Sequence, residues 1–248
     1  MNYQNKTVVI TGAAKGIGAA CAKLFFHEGA NVVLLDVAEP AFADDDRRWL
    51  FIHCDVSSEK EVQQAFEKIK QRFETIDFLV NNAGIQRYGS VTETSIEEWD
   101  LVMNVNLKSM FLCSKYAIPL MQKGAIINIA SVQAFVSQQK VAAYTTAKTA
   151  ILGLTRSIAV DYAPNIRCVA VCPGTIDTPM LRDAIALSPD PEAVMQECID
   201  MHLTKRIGTP EEVAELAMYL CDDKASFITG QAIRIDGGLG ITIAGSKK

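Results

Sequence analysis

Seven short runs along the chain are almost wholly apolar: TVVIT (7–11), NVVLLD (31–36), WLFIHCD (49–55), FLVNN (78–82), AIINIAS (125–131), IRCVAVCP (166–173) and AIRID (232–236). They lack strict alternation with polar residues, as expected of strands covered on both faces. Between them, apolar positions recur with helical spacing over 16–28, 58–73, 95–121, 144–162 and 210–221, with Ser57 or Ser58 and Thr209 or Pro210 as candidate helix starts. This alternation predicts an α/β fold, a Rossmann-like doubly wound sheet of seven parallel strands with helices on both faces. One crossover is too short for a full helix. Only residues 37–48 separate the second and third runs, and Pro40 lies among them, so at most one helical turn is expected there.

No repeat, low-complexity tract or linker breaks the pattern, and 248 residues suit one domain spanning 1–248. A net charge of -5, scattered apart from the cluster Asp44, Asp45 and Asp46, offers no basic face to nucleic acid. No apolar run approaches the ~18 residues of a membrane span, and no basic segment precedes an apolar one at the N-terminus. The expected setting is therefore cytoplasmic, with a small-molecule partner, no nucleic acid and no membrane. Seven cysteines, none in a CxxC motif, lie mostly inside apolar segments, which suits buried thiols in a reducing compartment and no metal site.

The first chemical signal is TGAAKGIG (11–18), placed after one predicted strand and opening the first predicted helix. Gly12, Gly16 and Gly18 allow a tight turn and close ligand approach, while the helix N-terminus offers N–H groups to a pyrophosphate. The spacing is GxxxGxG and not GxGxxG. Asp36 ends the second strand, where a carboxylate would meet ribose hydroxyls and repel a 2′-phosphate. At ~4 Å and an effective dielectric of ~20, each pair of unit charges repels by about 4 kcal/mol, which favours NAD over NADP. Lys15, a cation in the same loop, partly offsets that repulsion.

The second signal is AAYTTAK (142–148), which sets Tyr144 and Lys148 four residues apart on one helix face. With TGAAKGIG, CDV (54–56), NNAG (81–84), NVNL (104–107), IAS ending at Ser131 and PGTIDT (173–178), the sequence resembles the short-chain dehydrogenase/reductase family over essentially its full length. That family uses the GxxxGxG spacing. The resemblance implies a catalytic set of Asn106, Ser131, Tyr144 and Lys148. It implies a cofactor cradle of Gly12, Lys15, Gly16, Ile17 and Gly18, with Asp55 and Val56 flanking the adenine. Asn82, Ala83 and Gly84 would shape the floor, and Pro173, Gly174, Ile176 and Thr178 would hold the nicotinamide carboxamide. Tyr144 would act as general base with a pKa lowered from about 10 towards 7, a difference of about 4 kcal/mol that one cation at ~4 to 5 Å supplies, with oxidised nicotinamide adding a second positive charge nearby. Lys148 would provide that charge and bind the nicotinamide ribose, Ser131 would hold the reacting oxygen, and Asn106 would position water in a proton relay.

The stretches NNAGIQRYG, ASVQAF and CPGTIDTPMLR look similar to aldohexose dehydrogenases, and more loosely to fucose dehydrogenases. Gln86, Arg87, Gln133, Gln138, Gln139, Arg182 and His202 could meet a polyhydroxylated ligand, with Gln133, Arg87 and Arg182 foremost beside Ser131 and Tyr144. Residues 179–207 would form a substrate lid with two short helices. The apolar stretch AIRIDGGLGITIAG and the helix from 144 suit packing between subunits, and the family commonly forms homotetramers. A 3-oxoacyl or hydroxysteroid reductase, and a catalytically silent dinucleotide sensor, are the alternatives.

Overall fold

The computed structural model describes residues 3–43 and 46–241. Seven parallel strands form one sheet: β1 (Thr7–Thr11), β2 (Asn31–Asp36), β3 (Trp49–His53), β4 (Phe78–Asn81), β5 (Gly124–Ile129), β6 (Ile166–Pro173) and β7 (Ala232–Ile235), in the order β3-β2-β1-β4-β5-β6-β7. The predicted Rossmann-like doubly wound sheet is thus the observed one. Side chains of successive strand residues point to opposite faces. Val8, Ile10, Val32 and Leu34 pack on α1 (Gly16–His27) and on α8 (Pro210–Cys221). Val9, Val33 and Leu35 pack with α2 (Glu59–Phe73), α4 (Ser109–Ala117) and α5 (Ala142–Tyr162). Both faces are buried, which is why these strands read as continuous apolar runs. Two helix starts resolve as well: Ser58 caps α2, and Thr209 caps α8 in a capping box with Glu212.

No helix is present among the described residues of the short β2–β3 crossover; Asp44 and Asp45 of the acidic cluster lie outside them. Aromatic packing covers that edge. The Phe26 and Trp49 rings stack at 4.1 Å, and the Arg48 guanidinium sits 3.8 Å above Phe26. All seven cysteines are free and buried. No helix among the described residues is long and apolar enough to cross a membrane.

The helical stretch expected over 95–121 is corrected in one respect: it is not continuous. It divides into α3 (Ile96–Met103), a wide π turn (Asn104–Lys108) and α4. Such insertions recur at functional sites because they push one residue out of the helical register. Here the residue at the centre of the turn is Asn106.

Candidate active site

The carboxyl ends of the strands lie along one edge of the sheet, and the strand order reverses between β1 and β4, where open α/β sheets hold their ligands. The glycine loop follows β1. A side chain on Gly18 would place its Cβ 2.1 Å from the Gly12 carbonyl oxygen, and one on Gly12 would come 2.8 Å from the Ala83 backbone. Only glycines let these turns pack so closely. Lys15, at the N-cap of α1, makes no side-chain capping bond, and the first turn of α1 holds no acidic residue. The leading N–H groups and positive end of that helix are therefore available to an anion.

Asn82 fastens this cradle from below. Its amide donates to the carbonyls of Thr11 and Gly12, each at 3.0 Å, while the backbone N–H groups of Asn82 and Ala83 donate to Thr11 Oγ1. Thr11 was not singled out in the sequence, where a threonine ending a strand carries no distinctive signal. Asp36 accepts from the Ala14 N–H at 2.9 Å and the Ala38 N–H at 3.0 Å. Its carboxylate is thereby fixed at the tip of β2, against the glycine loop. Asp55 holds the turn after β3 by accepting from the Ser57 N–H and hydroxyl, beside the buried Val56. A dinucleotide fits this donor set: an open helix N-terminus for its phosphates, and an anchored carboxylate for its ribose.

At the far end of the cradle, Ser131 follows β5 and Tyr144 and Lys148 rise on α5. All three are buried. The Ser131 hydroxyl accepts from the Gln133 N–H at 3.1 Å and lies near enough to the Tyr144 phenol to favour its charged form. Lys148 Nζ donates to the Ile129 carbonyl at 2.9 Å and lies 5.6 Å from the Tyr144 ring centre. Gly84 passes close by, since a Cβ there would be 3.3 Å from Asn106 Oδ1 and 3.7 Å from Lys148 Nζ. The Asn106 amide grips both backbone groups of Ile85, accepting from its N–H at 2.7 Å and donating to its carbonyl at 2.8 Å. The segment after NNAG is therefore pinned to the π turn by a fully buried side chain.

In the protein alone the Tyr144 shift runs opposite to the one expected of the cofactor-bound site. Burial pushes the phenol up to about 12, opposed in part by the nearby Ser131 hydroxyl and reinforced by Tyr88. Burial likewise lowers Lys148 to about 8. Both heads lose water, and the ammonium's direct bond goes to a carbonyl and not to the phenol, so the protein's own groups do not bring Tyr144 near neutrality.

The residues assigned to substrate fare unevenly. Gln133 is half-buried and accepts from the Thr145 hydroxyl at 3.4 Å. Arg87 is exposed and donates to the Gln86 carbonyl. Arg182 is exposed, and its guanidinium makes two 2.9 Å bonds to Asp177, just before its own helix. His202 is buried, with both ring nitrogens bonded to backbone. The 179–207 segment does hold two helices, α6 (Pro179–Ile185) and α7 (Pro191–Asp200), each opened by a proline.

A family model described as enoyl-(acyl carrier protein) reductase matches residues 12–240. The ligand-free aldohexose dehydrogenase of Thermoplasma acidophilum superposes with a TM-score of 0.94 at 41% identity, covering 99% of this chain and 98% of that one. An uncharacterized oxidoreductase of Thermotoga maritima is 40% identical over 96% of this chain and 98% of its own length. The Aquarana catesbeiana dehydrogenase/reductase SDR family member 6 is 38% identical over 94% of this chain and 96% of its own. With that likeness over nearly its whole length and this cradle at its strand ends, the chain belongs to the short-chain dehydrogenase/reductase family of oxidoreductases.

Proposed function

We propose that this chain is an NAD-dependent sugar 1-dehydrogenase, oxidising the anomeric carbinol of an aldose, a hexose with or without deoxy or other substituents, to the lactone. The observation that carries the reading is the buried Ser131–Tyr144 pair beside Lys148, at the head of a cradle whose other end presents Asp36. The likeness to an aldohexose dehydrogenase supports the substrate class.

The bound dinucleotide supplies the hydride acceptor. Gly12, Gly16, Ile17 and Gly18 seat its phosphates with Lys15 above them, Asp36 binds the adenosine ribose, and Asp55 and Val56 flank the adenine. Asn82, Ala83 and Gly84 form the floor. Pro173, Gly174, Ile176 and Thr178 hold the carboxamide. Ser131 would donate to the anomeric oxygen and Tyr144 would take the hydroxyl proton, with the dinucleotide as acceptor of the carbinol hydride. Substrate C–H and O–H bonds break, the carbonyl forms, NAD is reduced and the proton leaves through Tyr144. Lys148 binds the nicotinamide ribose and relays that proton. Both side-chain polar atoms of Asn106 are engaged by Ile85, and its part in the relay would be to hold the Gly84–Ile85 segment beside Lys148. Gln133, whose backbone N–H bonds Ser131, would meet the sugar, Arg87 would border the entrance, and 179–207 would close over it.

A second reading, reduction of a 3-oxoacyl or steroid ketone, is favoured by one feature: Met180, Leu187 and Leu203 of the lid expose apolar side chains. NADH absorbance on mixing enzyme and NAD with aldoses, fatty alcohols and steroids separates the readings. Turnover confined to aldoses supports the first, turnover confined to apolar alcohols the second, and tight NAD binding without turnover a sensor. We also read the protein as a homotetramer, because Phe111 on α4, Val160 on α5 and Phe227 beyond α8 are exposed apolar residues; residues 242–245 of the other expected contact lie outside the described chain. Light scattering of the purified protein tests that assembly.

A further inference from the structure

Both ring nitrogens of His202, in the lid, are engaged by backbone groups. The residue is 2% exposed, although it lies in a stretch of turns beyond α7. Nδ1 is 2.6 Å from the Cys198 carbonyl, and Nε2 lies 3.2 Å from the Thr175 backbone nitrogen. The Thr175 N–H can only donate, so Nε2 accepts and the ring hydrogen sits on Nδ1, where it donates to Cys198. The ring thereby joins the last turn of α7 to the loop that follows β6.

Two neighbouring contacts show how closely that loop depends on the returning end of the lid. Gly208 donates to the Thr175 carbonyl at 2.9 Å and accepts from the Asp177 N–H at 2.9 Å. Both backbone groups of Thr175 are thus held by residues on the lid's exit. Gly174 is where the histidine ring comes closest, since a Cβ there would be 2.8 Å from Nε2.

The geometry points to His202 as a positioning residue: its ring stitches the end of the substrate lid to the Gly174–Thr178 loop and so sets that loop for the nicotinamide carboxamide. This rests on the dinucleotide-dependent reading above. Lid closure and carboxamide binding then share one element, and each makes the other more favourable. No contact between His202 and the substrate is needed.

The test compares His202→Ala and His202→Gln in the full-length enzyme. Glutamine can place its carbonyl oxygen where Nε2 accepts; alanine leaves the Thr175 N–H without its partner. The readouts are the Kd for NADH, KM for NAD and kcat, together with hydrogen exchange of the peptide spanning 174–178. The alanine variant is expected to weaken NADH binding and raise KM for NAD by about tenfold, with exchange accelerated at 174–178 and glutamine restoring both to within about threefold. If His202→Ala does not fold, the glutamine variant and the wild-type exchange decide: slow exchange at Thr175 in both supports the stitch. Equal impairment in the two variants, or wild-type affinity and exchange in the alanine variant, overturns it. A wild-type enzyme that binds no dinucleotide would instead sink the functional reading, while exchange at Thr175 would still report on the histidine.

Discussion

Lys148 lies one helical turn beyond Tyr144, yet its ammonium donates to the Ile129 carbonyl and stands 5.6 Å from the tyrosine ring centre. The two heads share one site without forming a direct bond. Each is pushed by burial towards its neutral form, Tyr144 to about 12 and Lys148 to about 8. In the protein alone the phenol therefore keeps its proton well above neutral pH. A cationic nicotinamide ring at ~4 Å would be worth about 4 kcal/mol at an effective dielectric of ~20.

Tyr144→Phe removes the hydroxyl and keeps the ring. The expected result is a fall in kcat of about 10² to 10⁴, with the Kd for NADH changed less than about threefold. Steady-state turnover and fluorescence titration measure both. Retention of most turnover would remove the phenol from the mechanism.

Asp36 should select against a 2′-phosphate. The preference for NAD over NADP in kcat/KM is expected to be several hundred-fold, reduced by whatever Lys15 offsets, and Asp36→Ser should erase most of it. The neighbouring bonds to Ala14 and Ala38 are also lost in that variant, so NAD affinity should fall as well. A wild-type preference for NADP would refute the assignment.

Lys148 makes stability depend on pH. Between about 8 and 10.5 the unfolded chain keeps a proton on this lysine that the folded chain has lost. The burial penalty is present in full below about 8 and is lifted as pH rises through that window, so stability rises with pH there. Relative to Lys148→Met, the wild type should gain about 3 kcal/mol over this range. Tyr144 acts in the opposite sense, keeping its proton between 10 and about 12, so denaturation is best compared below pH 10. A constant difference between the two proteins would contradict the burial account.

Asn106→Ala leaves the N–H and carbonyl of Ile85 without their side-chain partner. A loss of about 2 to 4 kcal/mol is expected from two buried backbone groups left unpaired, measured by denaturant unfolding. Activity should fall with it, because the Gly84 segment beside Lys148 is released.

Much of the sheet was legible because its strands are buried on both faces. TVVIT, NVVLLD and IRCVAVCP coincide with β1, β2 and β6, and the helix starts at Ser58 and Thr209 follow from capping chemistry. The break at Asn104–Lys108 was not legible, since NVNLK carries neither glycine nor proline, and its register is set by a contact with Ile85 twenty-one residues away. Motif spacing brought out Ser131, Tyr144 and Lys148, but the sign of the tyrosine shift depends on burial, which spacing does not encode. Arg182 and His202 read as ligand contacts because a charged or imidazole side chain in a lid invites that role. Their local partners, Asp177 and the Cys198 and Thr175 backbone, appear only once the helices are placed.

The most direct measurement is the tyrosinate titration of wild type minus Tyr144→Phe, followed by ultraviolet difference absorbance with saturating NAD, with NADH, and with neither. The account predicts that NAD lowers the Tyr144 midpoint by about two to three pH units, relative to about 12 for the protein alone, and that NADH lowers it far less. A midpoint that stays high with NAD bound, or that falls equally with NADH, would contradict a base switched on by the oxidised cofactor's charge.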